Sequence, residues 1–562
     1  MQLNLSIKSR LDAENALKAE IANALESLFN GNEEITEALN SLEIEIETPK
    51  DASFGDFSTN VAMKFAKTAK MAPKALAEAL IGQIDCQPAM IRSADIAGPG
   101  FINFTMAEEL FASYLINALE QKGDYGKVVL PEKKRLNMEY VSANPTGPLH
   151  IGNARGGAIG DTLASIFEWA GWEVTREFYL NDAGNQILKL SESIYARAMD
   201  HIGKSFPFPD DGYKGEDVID LAIAFSDLYP GFENGEPREV MEQMAAFALE
   251  KNSAAMEQSL AGYNIHYDVW FKESSLHSNG AISKAVSLLG QNNATYEQGG
   301  AIWFKATEYG CDKDEVLIRS NGVPTYYAAD LAYHLDKLVE RKFDLAINIW
   351  GADHHGHVKR LQMALAAAGI DPARLQIVIM QLVLVTGVRQ SKRKGDIFTL
   401  SDLVEDVGVD ATRFTFNSFS PSTHMDFDLE LAKQQSNENP VFYVQYAHAR
   451  MCSIIRNLLS INEKGLAPPD PLRLVEKQER ALIKLISSFS KEIAMAATEL
   501  DSSRIAKYAY DLATCFHSFY NSCRVISEDE VLMASRLALV EAAKHVLHSS
   551  LSIVGITAPE SM

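Results

Sequence analysis

The chain has 562 residues, of which 47% are hydrophobic and 23% are charged, and this composition is typical of a globular protein rather than a fibrous or disordered one. One hydrophobic core cannot serve a chain of this length, so we expect three or four domains. The net charge of −23 argues against a protein that binds nucleic acid over its whole surface, although the part from residue 436 onward is close to neutral and leaves room for a local nucleic-acid surface.

Residues 1–110 are predicted to form a small α+β domain. The apolar spacing predicts amphipathic helices over 13–28 and 58–69, and the alternating stretch 42–47 predicts a strand between them. The segment GPGFINF, 98–104, predicts a glycine-rich turn that leads into another strand. The N-terminus is charged and lacks the apolar segment of a signal peptide, so a cytoplasmic protein is expected.

Residues 111–435 are predicted to form a Rossmann-like domain with a parallel sheet. RLNMEYV (135–141) and EVTREFYL (173–180) have strand character, and the helical pattern between them runs from His150 to a stop at Gly171. The same strand–turn–helix pattern returns at FDLAINIWG (343–351), with a helix over 358–368. Two such units, separated by a long and mostly helical stretch, predict a split sheet with an insertion at about 195–315.

Residues 436–562 are predicted to be an all-α bundle, because helical patterns cover 440–459, 476–497, 504–523 and 535–555. Upstream of it, the apolar run 375–388 contains two glutamines and is too short to cross a bilayer. This run therefore predicts buried strands and no membrane anchor. The fold expected for the whole chain is multidomain α/β, with a small α+β domain before the Rossmann-like domain and a helical bundle after it.

Neither a disulfide framework nor a structural zinc site is expected, because the five cysteines are scattered and never form a CxxC pair. The segment WGADHHGH, 350–357, places Asp353 and three histidines after a predicted parallel strand, where ligands of open α/β sheets bind. A metal site is disfavoured there because no thiolate cluster accompanies the histidines. Roles in a substrate pocket or in helix capping fit these side chains better.

The segment NPTGPLHIGNARGG, 144–157, predicts a tight turn that leads into a helix N-terminus. Such an N-terminus has unpaired N–H groups and the positive end of the helix dipole, and both suit a phosphate. Gly152 would let a base or sugar approach the backbone, and His150 and Asn153 could reach one ligand from the same helix face. An ordinary capped helix with a hydrogen-bonded histidine explains the stretch equally well, so both interpretations stay open.

The segment GVRQSKRKGD, 387–396, places several cations in a glycine-bounded loop: Arg389, Lys392, Arg393 and Lys394. Most runs of this kind form a solvent-exposed basic turn. The alternative is a cationic loop that neutralises the charge developing on a leaving pyrophosphate.

The segment NGVPTYYAADLAYH, 321–334, predicts a turn followed by a helix. Tyr326 and Asp330 are one helical turn apart and are expected to face the same way. A carboxylate with a phenol beside it can bind a guanidinium, whose donors form a planar fork. An ordinary surface contact is the alternative.

Taken together, these motifs resemble those of one enzyme family. SANPTGPLHIGN (142–153) is similar to the HIGH signature of class I aminoacyl-tRNA synthetases, and RQSKR (389–393) is similar to their KMSKS loop. Further stretches narrow the resemblance to arginyl-tRNA synthetases of bacterial type, and it covers essentially the whole chain. These stretches are SFGDFSTNVAMKFAK, GPGFINF, YLNDAGNQI, PTYYAADLAYH, GADHHGH, GVDATRFTF and YVQYAHAR.

The resemblance implies an arginine–tRNA ligase that works in two steps. Arginine and ATP, the latter with Mg²⁺, give arginyl-adenylate and pyrophosphate, and the arginyl group then passes to the 2′-OH of the terminal adenosine of tRNA(Arg). It implies that arginine activation needs bound tRNA, that the N-terminal domain binds the tRNA elbow where the D-loop lies, and that the helical bundle binds the anticodon. A cytoplasmic monomer without a membrane partner is expected.

Site residues carry over by motif position. The catalytic residues implied are His150, Asn153 and Lys392. The ATP-binding residues implied are Gly147, His150, Gly152, Asn153, Ser391 and Lys392. The arginine-binding residues implied are Glu139, Asn144 and Asp353 at the α-amino group, Tyr326 and Asp330 at the guanidinium, and Glu273 as a third guanidinium partner. The candidate tRNA-binding residues are Tyr443, Tyr446 and Arg450, which share one helix face and form either a packing face or a stacking platform for unpaired bases.

The chain departs from the family pattern at the two signatures. Asn153 stands where the first signature ends in histidine, and it can donate a hydrogen bond but cannot carry a charge. The second signature keeps Ser391 and Lys392 and changes both ends. Cysteinyl or glutaminyl specificity is a competing hypothesis, and the Tyr326–Asp330 pair and the lack of zinc-binding cysteines disfavour the cysteinyl case. A catalytically inactive tRNA-binding paralogue is another, disfavoured by the retained His150 and Ser391–Lys392.

Overall fold

The computed structural model describes residues 7–386, 398–461 and 465–562. Its N-terminal part consists of α1 (Arg10–Leu28), α2 (Glu33–Asn40), β1 (Phe57–Thr59), α3 (Val61–Ala69), α4 (Pro73–Ile81), β2 (Ile91–Ala97), β3 (Phe101–Met106) and α5 (Glu108–Gln121). The strands form an antiparallel sheet in the order β1–β3–β2. Helix α1 begins with a capping box in which Ser9 and Asp12 each accept the other's backbone N–H.

Two predictions for the N-terminal part are wrong. The stretch 42–47 is not a strand, and Glu47 forms an isolated bridge with Ser58 instead. The helix predicted from residue 58 begins at Val61, because residues 57–59 extend as β1 and pair with β3, Phe57 opposite Phe104.

A five-stranded parallel sheet in the order β11–β10–β4–β5–β6 forms the centre of the molecule. Its strands are β4 (Arg135–Glu139), β5 (Glu173–Leu180), β6 (Val269–Lys272), β10 (Leu345–Gly351) and β11 (Leu375–Met380), and the smaller sheets use β7 (Thr295–Gln298), β8 (Ala301–Phe304), β9 (Glu315–Ile318), β12 (Val383–Thr386) and β13 (Met425–Asp428). The helices of this part are α6 (Ile151–Trp169), α7 (Asn185–His201), α8 (Glu216–Leu228), α9 (Pro237–Gly262), α10 (Glu273–Ser278), α11 (Ala281–Gln291), α12 (Tyr326–Leu335), α13 (His355–Ala367), α14 (Leu400–Val407), α15 (Val409–Asn417) and α16 (Leu429–Ala432), with a π-helical turn, Asp336–Glu340, after α12.

The sheet corrects two details of the sequence-based prediction. Strand β6 lies inside the range expected to be an insertion, yet it pairs with β5 as the edge strand of the main sheet. Its four residues are too short a pattern to stand out among the helices around it. In the run 375–388, β11 belongs to the main sheet, but β12 pairs with β13 and leaves Leu384 66% exposed, so this part of the run is not buried.

The last part of the chain is the predicted helical bundle: α17 (Pro440–Ile461), α18 (Lys477–Ser487), α19 (Phe489–Glu499), α20 (Ser503–Ser522) and α21 (Glu530–Val554). The helix predicted over 476–497 is two helices that meet at Ser488. Phe489 packs on Trp169 at the end of α6, with ring centroids 5.5 Å apart, so the bundle rests directly on the central domain. No helix in the described part of the chain combines the length and the apolar character needed to cross a membrane.

Candidate active site

The turn predicted at residues 144–157 leads into α6, and His150 and Asn153 cap this helix. The Gly152 N–H donates to His150 Nδ1 at 3.1 Å, and the His150 N–H donates to Asn153 Oδ1 at 3.0 Å. A Cβ at residue 152 would lie 3.0 Å from His150 Cε1, so the glycine leaves room for the imidazole ring. The interpretation of this stretch as a capped helix is therefore correct for the backbone N–H groups of the first turn.

The capping also fixes the state of the His150 ring. Because Nδ1 accepts a hydrogen bond, the neutral ring carries its proton on Nε2, which is left as a donor. The ring is exposed on a cleft but is partly desolvated there, and this desolvation lowers the pKa of the imidazole. His150 thus offers a neutral N–H donor beside the N-terminus of α6.

This N-terminus opens on a cavity of about 780 Å³, which we call the α6 cleft. Its opposite walls are residues 351–354 after β10 and residues 380–383 after β11, and residues 213–215 with Asp217 and Val218 close one side. The predicted residues that line it are Asn144, Gly147, His150, Gly152, Asn153 and Asp353. The cleft therefore joins the two βα units at the carboxyl ends of their strands, as expected for a ligand site in this kind of sheet.

Ser391 and Lys392, with Arg389, Arg393 and Lys394, lie outside the described residues. The structure does describe both flanks of that segment. Val383 lines the α6 cleft, and Thr399 forms a bridge with His150, with Leu400 N–H donating to Leu149 O at 2.8 Å. The chain thus leaves from one wall of the cleft and returns beside the N-terminus of α6.

A second cavity of about 310 Å³, which we call the Asp330 cavity, adjoins the α6 cleft. The two share a wall that includes Asn144 and residues 349 and 351. The Asp330 cavity brings together three of the predicted arginine-binding residues: Glu139, Asn144 and Asp330. Asp330 accepts a hydrogen bond from His357 Nε2 at 2.8 Å, so the GADHHGH segment supplies a partner to this carboxylate.

Tyr326 does not line this cavity, and the prediction that it faces the same way as Asp330 is wrong for this structure. Tyr326 is the first residue of α12, 56% exposed, and a Cβ at Gly184 would lie 3.4 Å from its hydroxyl. It lines a separate cavity of about 620 Å³ with Glu273. Residues one turn apart share a helix face, but at the first residue of a helix a long ring can leave that face.

Glu273 and Asp353 do not line the Asp330 cavity; Glu273 lines the cavity of Tyr326, and Asp353 lines the α6 cleft. Glu273 is buried, and burial raises the pKa of its carboxyl. With the Asn181 amide oriented so that its nitrogen faces this carboxyl, the amide donates to Oε2 at 2.9 Å. Asn181 lines the Asp330 cavity, so Glu273 reaches the wall of this cavity through the Asn181 amide. Asp353 lines the α6 cleft, where its side chain is 81% exposed.

Sequence reasoning missed a buried polar layer beneath the Asp330 cavity. His334, Lys337 and Asn348 are buried there, and Lys337 Nζ lies 2.6 Å from Glu139 Oε2. The signal available was a histidine and a lysine three residues apart in a helical segment with several apolar residues, 326–340, which an exposed helix face explains just as well. No group of three or more His, Cys, Asp or Glu side chains suited to a metal ion occurs among the described residues.

In the bundle, Tyr443, Tyr446 and Arg450 come together on α17 and are half-buried against α20. Arg450 donates to the hydroxyls of Tyr446 and Tyr520 at 3.2 and 3.1 Å, and its guanidinium lies 4.7 Å from the Tyr520 ring centre. Rings of α20 that the sequence reasoning missed complete the cluster: Tyr510, His517 and Tyr520. The helical spacing of these three rings along RIAKYAYDLATCFHSFY was the feature of the sequence that could have revealed them.

The order of these parts matches three family models. They are the "Arginyl tRNA synthetase N terminal domain" over residues 15–106, "tRNA synthetases class I (R), catalytic domain" over 114–216 and 228–418, and the "DALR anticodon binding domain" over 444–562. The fold and the site therefore define a class I aminoacyl-tRNA synthetase.

Relatives of the whole chain narrow this class. The chain is 49% identical over 527 residues to an arginine–tRNA ligase of Caldanaerobacter subterraneus subsp. tengcongensis, covering 92% of this chain and 94% of the relative. It is 45% identical over 559 residues to an arginine–tRNA ligase of Desulforamulus reducens, covering 97% and 99%. The chain belongs to the arginyl-tRNA synthetase family, and the resemblance seen in the sequence is confirmed.

The fold is confirmed independently by a solved structure. The arginyl-tRNA synthetase of Thermus thermophilus superposes with a TM-score of 0.77 over 98% of this chain and 100% of that chain, at 24% identity.

Proposed function

We propose that this chain is an arginine–tRNA ligase, which activates L-arginine with ATP and then transfers the arginyl group to tRNA(Arg). The observation that carries the proposal is the shared wall of two cavities. The α6 cleft presents a helix N-terminus and the His150 donor, and the adjoining Asp330 cavity presents carboxylates. A nucleotide in the α6 cleft and a cationic amino acid in the Asp330 cavity would meet at Asn144. A phosphate group of the nucleotide would there face the carboxylate of the amino acid.

In the first step, a carboxylate oxygen of arginine attacks the α-phosphorus of ATP, the bond to the β-phosphate oxygen breaks, and pyrophosphate leaves. The step needs positioning and charge stabilisation and no protein nucleophile. His150 and Asn153 stand at the phosphates, Gly147 and Gly152 border the nucleotide, and Ser391 and Lys392 hold the β- and γ-phosphates. Asp217 and Asp353 are carboxylates that line the cleft, and their oxygens would suit the Mg²⁺ that accompanies ATP, which would neutralise phosphate charge there.

Arginine is held at both of its ends. Asp330 binds the guanidinium, and Tyr326 and Glu273 are the further guanidinium partners that the family motifs imply. Glu139 and Asn144 bind the α-ammonium group, and Asp353 lies beside them on the cleft side. A charge-assisted bidentate contact suits the planar guanidinium, so lysine would be a poor substitute.

In the second step, the 2′-OH of the terminal adenosine attacks the arginyl carbonyl carbon and AMP leaves. The N-terminal domain contacts the tRNA elbow, and the cluster around Tyr443, Tyr446 and Arg450 stacks anticodon-loop bases. Bound tRNA is required for arginine activation, and the enzyme works as a cytoplasmic monomer.

The test is ATP–pyrophosphate exchange with the full chain and arginine, with and without tRNA(Arg), followed by aminoacylation of that tRNA. We expect exchange that depends on both arginine and tRNA. Exchange with another amino acid, cysteine or glutamine included, would show a different specificity. A chain that binds tRNA but gives no exchange with any amino acid would be the inactive paralogue.

A further inference from the structure

Lys337 is a fully buried lysine directly beneath the Asp330 cavity. It belongs to the π-helical turn after α12, a rare form of helix that is often found at functional sites. Its Nζ lies 2.6 Å from Glu139 Oε2 and 3.2 Å from Asn348 Oδ1, and 4.2 Å from the centre of the Tyr333 ring. The ammonium group thus contacts both the Glu139 carboxylate and the face of the Tyr333 ring.

This pair is one of two separate pairs in the same layer. On the neighbouring strand β5, the buried Glu177 accepts from the Arg341 guanidinium at 2.5 and 2.8 Å and from the Tyr333 hydroxyl at 2.5 Å. Burial alone would raise the pKa of Glu177, but the contacts of Arg341 and the charge of Lys337 hold that pKa below its usual value. Since Glu177 has its own guanidinium, Lys337 is the cation in contact with Glu139.

Lys337 also connects the two ends of the Asp330 cavity. Asn348, which accepts from Lys337, contacts His334 Nε2 through its own Nδ2 at 2.9 Å. His334 Nδ1 in turn lies 2.7 Å from the backbone oxygen of Asp330. A chain of hydrogen bonds therefore runs from Glu139 through Lys337 to the turn of α12 that carries Asp330.

We infer that Lys337 is a positioning residue for arginine binding: its ammonium group fixes Oε2 of the Glu139 carboxylate, so that Oε1 is left for the α-ammonium group of the substrate. Oε1 accepts from the Ser142 hydroxyl at 3.0 Å, and Ser142 lines both the Asp330 cavity and the α6 cleft. Lys337 itself has no side-chain exposure, so it acts through Glu139 and not by touching the substrate. The inference rests on the proposed function, because it takes arginine as the occupant of this cavity.

The inference has a signature in the pH dependence. Without Lys337, Glu139 would be a buried carboxyl with no cation in contact, and burial disfavours the ionised form and raises the pKa. The other titratable groups around Glu139 and its cavity cannot replace the lysine. Arg341 is engaged by Glu177, His334 is neutral, His357 is engaged by Asp330 and His354 lies against Asp353. The rest are phenols or carboxyls: Glu177, Asp330, Tyr179, Tyr267 and Tyr333. Glu139 would then bind the α-ammonium group only above its raised pKa.

The experiment compares Lys337→Met with the wild-type full chain in tRNA-dependent pyrophosphate exchange across the neutral pH range. The control is Lys342→Met, which removes the same charge from an exposed position five residues further along the chain. At neutral pH we expect Lys337→Met to raise the KM for arginine by about tenfold or more, equivalent to at least one pKa unit, and to change the KM for ATP by less than about twofold. The ratio of variant to wild-type kcat/KM for arginine should rise with pH, and the control should match the wild type.

A second variant covers the case in which Lys337→Met does not fold. Glu139→Gln combined with Lys337→Met leaves no unpaired buried charge, and its KM for arginine should equal that of Glu139→Gln alone, because Lys337 acts only through Glu139. A difference of about tenfold between these two would overturn the inference, since contacting residues that act as one unit should not add. A pH-independent ratio, or equal rises in both KM values, would also overturn it. Absence of arginine-dependent exchange in the wild type would instead refute the proposed function.

Discussion

Asp330 shows how one side chain can set the specificity of the site. Its carboxylate is about one-third exposed in the Asp330 cavity, and it accepts from His357, which packs against Trp350 with ring centroids 5.7 Å apart. An imidazole can hold a carboxylate in place and still leave lone pairs for a second donor. A guanidinium entering the cavity would therefore meet an oriented anion.

We predict that Asp330→Asn weakens arginine use selectively. A hydrogen bond to a charged group is worth about 1.5–3 kcal/mol, so the KM for arginine should rise by roughly 10- to 100-fold, while the KM for ATP stays within about twofold. Steady-state pyrophosphate exchange at varied arginine and ATP measures both. The matched control is Asp312→Asn, at an exposed position away from the cavity. An unchanged KM for arginine would mean that the guanidinium is bound elsewhere.

His334 makes a second prediction at this scale, about stability and pH. It is fully buried, and burial lowers its pKa well below the usual value, so the folded protein keeps it neutral. The unfolded chain takes up this proton at about pH 6.5, so the stabilisation is complete above that pH and is lost as the pH falls below it, by up to about 1.4 kcal/mol per pH unit.

The measurement is the thermal unfolding midpoint of the wild type and of His334→Gln between about pH 7 and about pH 5, the range in which an unfolded histidine becomes charged. The midpoint of the wild type should fall more steeply, so that the difference between the two proteins shrinks in acid. Parallel curves would show that His334 is protonated in the folded state.

At the scale of elements, the sequence predicts best where a local pattern decides the structure. The helix α6 was predictable because the residues that form its turn, its cap and its apolar face all lie within 144–170. The strand β6 was missed because its four residues are recognisable only through their pairing with β5. Lys337 was missed for a related reason, since the π-helical turn that buries it does not follow from the helical spacing of the sequence. Tyr326 and Asp330 were found, but helical spacing alone does not reveal that their side chains line two different cavities.

The cap of α6 also explains the asparagine that replaces the family's second histidine. Asn153 is the third residue of the helix, and its Oδ1 closes the capping box by accepting the His150 N–H at 3.0 Å. An amide does this at any pH because its oxygen is always an acceptor, whereas a histidine would need an unprotonated Nδ1. The residue therefore has a geometric role in holding the helix N-terminus and the His150 ring in place.

We predict that Asn153→Ala lowers adenylate formation by more than its effect on stability explains. Losing a helix cap costs about 1 kcal/mol, but here it also frees the backbone that carries His150. The control is Asp12→Ala, which removes the corresponding capping-box residue of α1, far from the cleft. Both variants should lose similar stability in thermal unfolding, and only Asn153→Ala should lose pyrophosphate exchange. Equal exchange rates in the two would show that the cap serves folding alone.

At the scale of the whole molecule, Arg413 ties the central domain to the end of the bundle. Its guanidinium is fully buried and donates to Asp161 Oδ2 of α6 at 2.6 Å, to Val554 O at the end of α21 at 2.9 Å, and to the carbonyls of Tyr263 and Asn264 at 3.3 and 3.2 Å. A Cβ at Gly555 would lie 2.2 Å from the guanidinium, so this close approach requires glycine, which also has a φ of +76°. Three parts of the chain that are remote in sequence thus share one cation.

We predict that Arg413→Met destabilises the folded chain by about 3–5 kcal/mol, because it breaks the buried ion pair with Asp161 and leaves buried backbone carbonyls without their donor. Asp161 keeps Arg176 at 3.2 Å and the Tyr140 hydroxyl at 3.3 Å, so much of the loss falls on the three carbonyls, for which a thioether provides no donor. The control is Arg456→Met, which breaks a half-exposed pair with Glu560 at the same end of the chain and should cost at most about 1 kcal/mol. Denaturant unfolding followed by tryptophan fluorescence measures both, and Trp169 at the junction of α6 and the bundle is one of the five tryptophans that contribute. Equal effects of the two substitutions would mean that the contact between the bundle and the central domain is maintained by apolar packing alone.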